Sequence, residues 1–428
     1  MQRVLVSVFG AIFVFAGIAR AQTSDVPLRM TLDDALRLAA ARNPTLAAAR
    51  NVVEMAEGDR IGAELRPSPA MTLNGESYPV GVTPRPSFLN GQELTLRLDQ
   101  EIETAGRRGL RLKAASQAVD GAEASYRNQW REIELDVKRA YFQVVLANAD
   151  HDVANASLGE IDRVITLNRA RLQQGEIAGA EVKRLQVERL KFVDDVFAAE
   201  LATRNAKSAL LALLNFDNLG TTFDVVDTLK TPDSPAPAQT IASDIGALGA
   251  KALASRSDLG AARTEATRAD TETRLQRALR TPNVTVGGGY KRDFGTNSIV
   301  FGVTVPLPLF NRNAGGIARA DAEARRAQNE VNAVKAKVLL DVQQASNAVD
   351  INRQRVAYIE REYLKTAQEA RDIVLASYRL GAGDLINFLD AQRAYRETVR
   401  TYNKALYDLR ISEYQLAAAV GTTMVQPQ

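Results

Sequence analysis

The chain has 428 residues, 54 Lys and Arg against 51 Asp and Glu, a single histidine and no cysteine. A net charge of +3 lacks the basic excess of a nucleic-acid binder. Without cysteine there are no disulfides, no thiolate chemistry and no lipid-modified N-terminal Cys, and one histidine cannot build a His/Cys zinc or copper cluster.

The chain opens on MQRVLVSVFGAIFVFAGIARA. Arg3, the apolar run from Val4 to Ile18 and Ala19-Arg20-Ala21 form the three parts of a secretory signal peptide, with cleavage expected before Gln22. Losing Arg3 and Arg20 leaves a net charge of +1. No later segment is long and apolar enough for a membrane helix, so any crossing must use strands.

RPSPAMTLNGESY (66–78) and LTLRLD (94–99) are the first strand candidates. Met71 and Leu73 oppose Thr72, Asn74 and Glu76, and Leu94, Leu96 and Leu98 oppose Thr95, Arg97 and Asp99. Such period-two alternation predicts antiparallel strands with one oily side. TAGRRG then leads into a window, 87–231, without proline. Arg107, Arg108, Arg111 and Lys113 read as a solvated basic helix start, with attraction to lipid phosphates as an added possibility. The window is rich in good helix formers and predicts long helices. His151 reads as a helix-surface residue, and Gly175 and Gly179 as the turn of a helical hairpin.

A Pro/Ser/Ala segment, TPDSPAPAQT (231–240), reads as a linker. Beyond it, Val284 and Val286 flank Thr285, and Gly287-Gly288-Gly289 lacks the Lys-Ser/Thr of a phosphate loop. Ile299, Phe301, Val303 and Val305 form one face of a fourth strand. Pro306 and Pro308 end it, because Pro cannot donate to a ladder, and Gly315-Gly316 is expected to swing the chain into a helix. From Ile317 to Leu380 there is neither Pro nor Gly. Val331, Val334, Val338, Val342, Ala345, Val349, Val356, Ile359 and Tyr363 make a narrow apolar stripe, so this run predicts one helix about 96 Å long. Gly381 and Gly383 break a second hairpin, and Asn387 and Asp390 share a helix face just beyond it.

The halves also match each other. RNPTLAAAR (42–50) parallels RSDLGAART (256–264), and ARLQQGEIAGAEVKRLQ parallels SYRLGAGDLINFLDAQ. The expected organisation is a signal peptide (1–21), a first repeat (22–230), the linker (231–240), a second repeat (241–422) and a tail (423–428). Four alternating strands cannot close a bacterial barrel, which starts at eight, so several chains must share one. Phe301, Val303 and Leu96 are then expected to face lipid, and Arg97 and Thr304 the lumen or neighbouring protein.

VPLPLFNRNAGGIARA, its counterpart LDQEIETAGRRGLRLKAA and the closing YRLGAGDLINFLDAQRAYRETVRTYNKALYDLRISEYQLAAAVG resemble the TolC-like outer-membrane efflux proteins, over residues 30–422. The PLPLFNRN and TAGRRG forms look like the branch serving cobalt–zinc–cadmium resistance pumps. The resemblance implies a mainly α fold with a small β part. Long antiparallel helical hairpins would form a periplasmic tube, and four strands per chain would enter a trimeric outer-membrane β-barrel. It implies a passive duct with no enzymatic activity and no cofactor. Its partners would be a periplasmic membrane-fusion adaptor, an inner-membrane resistance-nodulation-division (RND) pump and outer-membrane lipid, with no nucleic acid. Gly106, Pro306, Pro308, Gly315 and Gly316 would mark the strand-to-helix junctions. Gly175, Gly179, Leu380, Gly381 and Gly383 would meet the adaptor, and Asn387 and Asp390 would line the narrowest ring. Competing readings are a periplasmic coiled-coil adaptor or scaffold, which needs no lipid-facing strands, and a duct for drugs or type I protein secretion.

Overall fold

The computed structural model describes residues 26–77, 80–81, 83–84, 92–230 and 245–422. The expected signal peptide, linker and C-terminal tail lie outside these residues.

Thr31 and Asp34 cap each other's backbone at the start of α1 (Leu32–Arg42). The Asn43 side chain accepts from Thr45 and Leu46 N–H groups to start α2 (Pro44–Glu64), whose proline sits where no donor is needed. Strands β2 (Ala70–Glu76) and β3 (Glu93–Ile102) follow, then α3 (Arg107–Gln173) and α4 (Gly179–Leu213). At 67 residues, α3 is about 100 Å long. The order then repeats: α5 (Ile245–Ser255), α6 (Ser257–Ala278), β5 (Val284–Asp293), β6 (Thr296–Thr304), α7 (Ala314–Tyr358), α8 (Lys365–Arg379) and α9 (Leu385–Val420). Two short strands, β1 (Arg29–Met30) and β4 (Asp224–Val225), pair in parallel beside the first half.

The packing forms three open layers. The sheet order is β2-β3-β5-β6, all antiparallel. Next to it, α2 packs on α3, α3 on α6, and α6 on α7. Further away, α4 packs on α3, α3 on α9, and α9 on α7 and α8. Each layer has one edge from the first half (β2, α2, α4) and one from the second (β6, α7, α8). The largest core sits midway, where Trp130, Tyr141 and Phe142 of α3 meet Met30, Leu36 and Leu210. The Tyr141 hydroxyl donates to Met30 O at 3.0 Å or Asp227 at 2.5 Å, so the short β pair is tied to α3.

The expected unbroken helix over 317–380 is interrupted by a π-helical turn at Ile359–Leu364. Above it the stripe holds: Val338, Val342, Ala345 and Val349 are buried against Leu248, Leu259 and Leu416. Below it the register moves by one residue. Leu364 packs on the Val356–Ile359–Tyr402 cluster, and Tyr363, expected on the stripe, is half exposed.

Candidate functional site

Register fixes the faces of the sheet. Leu73, Leu96, Tyr290 and Ile299 lie side by side across the four strands. The next row is Met71, Leu98, Gly288 and Phe301, followed by Val286 and Val303. Among the described residues no element covers this face: Ile299 is 85% exposed and Phe301 89%. It turns polar at the loop end, in the row of Arg292 and Asn297. An uncovered apolar belt several rows tall is a surface made for something other than water.

The opposite face carries the charges. Arg97 pairs with Asp99 at 2.7 Å, and Lys291 with Glu93 at 2.9 Å. The glycines expected to serve a strand or turn have a packing reason. A Cβ at Gly287 would strike the Asp99 side chain, one at Gly289 the Leu96 carbonyl, and one at Gly302 would sit 3.1 Å from the Arg97 guanidinium. Arg97 therefore lies flat across β5 and β6 in space that only glycine leaves free.

The junctions differ in detail from the expectation. Ala105 (φ 53°) and Gly106 (φ 68°) make the first turn in left-handed backbone. In the second junction the left-handed residue is Asn313 (φ 56°), while Gly315 and Gly316 already belong to the first turn of α7. Asn tolerates that conformation, and its side chain donates to Gln276 O at 2.8 Å. A Cβ at Gly316 would collide with that Asn313 side chain, which is the reason for glycine there. Pro306 and Pro308 lie between the end of β6 and α7, where Leu307, Leu309 and Phe310 stand exposed.

Of the basic cluster, Lys113 is exposed as expected, but the three arginines are engaged with helix ends. Arg108 donates to Glu64 O at 2.7 Å, and Arg111 to Ala63 O at 3.1 Å and Leu65 O at 2.9 Å. Arg107 donates to Ala278, Leu279 and Thr281 carbonyls. These arginines satisfy the last carbonyls of α2 and α6 and favour the negative ends of their dipoles. The sequence signal was available only as proximity to two helix ends far along the chain. His151 lies on α3 within 3.2 Å of Asn155. Among the described residues no group of three His, Cys, Asp or Glu is placed to hold a metal ion.

Both hairpin tips are left-handed glycine caps. Gly175 (φ 76°) follows α3, and the Glu176 N–H reaches back to Arg171 O at 2.9 Å. Gly381 (φ 79°) follows α8, and Ala382 N–H reaches Ser377 O at 3.0 Å. Gly179 is the first residue of α4, and Leu380 is 85% exposed at the second tip. Arg171 donates to Tyr378 O at 3.2 Å and Arg379 O at 2.5 Å, so one side chain joins the two tips. Tyr378 stacks on Phe388 with ring centroids 5.6 Å apart. A Cβ at Gly383 would sit 2.9 Å from Tyr378 N, which is backbone and cannot step aside. Gly383→Val should therefore lower stability by about 1–3 kcal/mol, with faster proteolysis at the second tip. Unchanged melting and cleavage would mean the turn relaxes freely.

Asn387 and Asp390 are both exposed on one face of α9 near this tip. Asp390 lies 3.4 Å from Arg393, which also reaches Glu188 of α4 at 3.0 Å.

Residues 35–215 and 248–422 match the family model described as outer membrane efflux protein. The chain belongs to the outer membrane efflux protein family. The cobalt-zinc-cadmium resistance protein CzcC of Cupriavidus metallidurans is 27% identical over 370 residues, covering 85% of this chain and 83% of that one. The outer membrane protein TolC of Vibrio cholerae is 24% identical over 331 residues, 74% and 73% of the two chains. The crystal structure of the outer membrane protein VceC of Vibrio cholerae superposes with a TM-score of 0.73 at 20% identity, over 91% of this chain and 96% of that one. This efflux family protein is therefore an outer-membrane channel that extends into the periplasm, not an enzyme. Its four strands are a contribution to a β-barrel and its hairpins to a helical tube. Membership sets aside the adaptor and scaffold reading.

Proposed function

We propose that three copies of this chain close into one duct, the outer-membrane exit of a tripartite system that expels metal cations. The observation that carries this reading is the set of open layers. Among the described residues, sheet and helices alike end in unpaired edges, β2 with α2 and α4 on one side and β6 with α7 and α8 on the other. A single head-to-tail contact repeated by rotation joins all of these edges at once. Three copies would make twelve strands, within the range of bacterial barrels. Metal cargo is supported by the likeness to a relative named for cobalt-zinc-cadmium resistance.

In this reading a periplasmic membrane-fusion adaptor docks at the tips around Gly175, Gly179, Leu380, Gly381 and Gly383 and connects the tube to an inner-membrane RND pump. The uncovered apolar sheet face contacts outer-membrane lipid. The experiment is complementation in a host that keeps the cognate pump and adaptor but lacks the duct. Restored tolerance to zinc, cobalt or cadmium supports the reading. Restored tolerance to organic drugs alone contradicts it.

The narrowest ring sits at Asn387 and Asp390, near the periplasmic tip. Three Asp390 carboxylates brought around the axis attract an entering cation. Asp390→Ala should then lower cation selectivity and weaken block by trivalent cations added from the periplasmic side in single-channel recordings. Parent-like block would leave Asp390 as a surface partner of Arg393.

A further inference from the structure

The π turn at Ile359–Leu364 occurs in the second long helix, whereas α3 runs 67 residues without one. A π turn in an α-helix is rare and often marks a working position. Here its effect is visible in two tyrosines. In an α-helix, residues five apart are about 140° apart around the axis. Across the wider turn, Tyr358 and Tyr363 share a face, with ring centroids 5.3 Å apart and hydroxyls at 3.2 Å. Both are half exposed, at 53% and 51%. The turn thus removes Tyr363 from the buried stripe and adds it to an outer one with Tyr358 and, two turns above, Ile351, which is 63% exposed.

The opposite edge of the chain carries a matching surface. On α4, Val187, Leu190, Phe197 and Leu201 recur at spacings of three, seven and four and are 58–69% exposed. Helix α9 fixes their height relative to the tyrosines. Arg396 of α9 pairs with Asp195 of α4, and its guanidinium lies 5.2 Å from the Phe192 ring centre. Six residues further along α9, Tyr402 donates to Glu360 of the π turn at 3.1 Å. Helices α4 and α9 both run away from the tips, so six residues beyond Asp195 comes Leu201. Leu201 is therefore level with Glu360, and Phe197, one turn lower, is level with Tyr363.

We propose that Phe197 and Leu201 of one copy receive Tyr363 and Tyr358 of the next, and that the π turn exists to present this tyrosine pair to a second copy of the chain. The inference rests on the shared-duct reading above. A ring closed by rotation leaves height along the axis unchanged, so surfaces level within one chain stay level between copies. The contact lies about 25 Å above the Leu380 tip, 17 residues from Tyr363.

The chain has no cysteine, so the test needs no background removal. The full-length protein carrying Phe197→Cys and Tyr363→Cys is purified in detergent, its assembly state is measured, and a short bismaleimide is added. Cross-linked dimers and trimers on a denaturing gel are expected as the main product. Phe197→Cys with Ile373→Cys, displaced by about 15 Å, should give an order of magnitude less. Leu201→Cys with Tyr358→Cys repeats the test if the first pair fails to assemble. An intact trimer whose cysteines are not cross-linked, and instead react freely with a polyethylene-glycol maleimide, overturns the inference alone. So does protection that appears only when an adaptor protein is added. If the parent forms no oligomer, the shared-duct reading fails first.

Discussion

Phe301→Lys should reduce assembled, membrane-embedded protein by more than tenfold, while Thr304→Lys leaves it near the parent level. Phe301 stands in the middle of β6, 89% exposed, in the apolar row with Met71 and Leu98. A lysine on the lipid face of a barrel costs about 2–4 kcal/mol at the bilayer midplane. Each 1.4 kcal/mol is a factor of ten in an equilibrium, so the lower bound alone exceeds tenfold. Thr304 points the other way, opposite Thr285 on the charged face, where an added lysine meets water and polar neighbours. The readout is the amount of oligomer extracted from membranes for each variant. A severe defect for Thr304→Lys with normal assembly of Phe301→Lys would show that the two faces are inverted.

Arg256→Met should destabilise the folded chain by about 3 kcal/mol, the low end for breaking a buried ion pair. The Arg256 side chain is 2% exposed, and it holds its near neighbour Asp258 and two groups distant in sequence. It bonds Asp258 at 2.5 Å, Asp341 of α7 at 3.0 Å and the Ala419 carbonyl near the end of α9 at 3.3 Å. Burial alone would raise the Asp258 carboxyl, but the hydrogen bond and charge of Arg256 outweigh it and hold it below the usual range. A lowered folded-state pKa contributes stability that is complete above the unfolded value of about 3.9 and is lost as pH falls through the folded one. The difference between Arg256→Met and the parent should therefore be full at pH 7 and shrink below pH 4. Adding Asp258→Asn to Arg256→Met should recover part of the loss, since it removes one abandoned charge. Chemical denaturation of the detergent-solubilised protein at pH 7 and pH 3.5 measures both effects. A pH-independent difference would assign the cost to packing rather than charge.

These residues mark where sequence reading succeeded and where it stopped. The strand faces were legible because alternation is local: Ile299, Phe301 and Val303 announce one face whatever they pair with. The tips were legible because a helix that reverses needs left-handed backbone, and Gly175 and Gly381 provide it. The stripe from Val331 to Ile359 was legible for the same local reason. The π turn was not, because IEREYL contains good helix formers and no Gly or Pro; only packing decides that Leu364, not Tyr363, enters the core. Arg42 and Arg256 occupy matching places in the two repeats, yet Arg42 lies over the Phe216 ring at 4.1 Å while Arg256 is buried. Their partners lie up to 173 residues away, so motif comparison could not separate them. Likewise, nothing within TAGRRG tells that its arginines close the ends of α2 and α6.

If one chain is a third of a duct, as proposed, its assembled mass follows directly. Mass photometry of protein extracted from outer membranes in mild detergent should show a single species with three times the mass of the mature chain, soluble only with detergent. A monodisperse monomer recovered without detergent would contradict it.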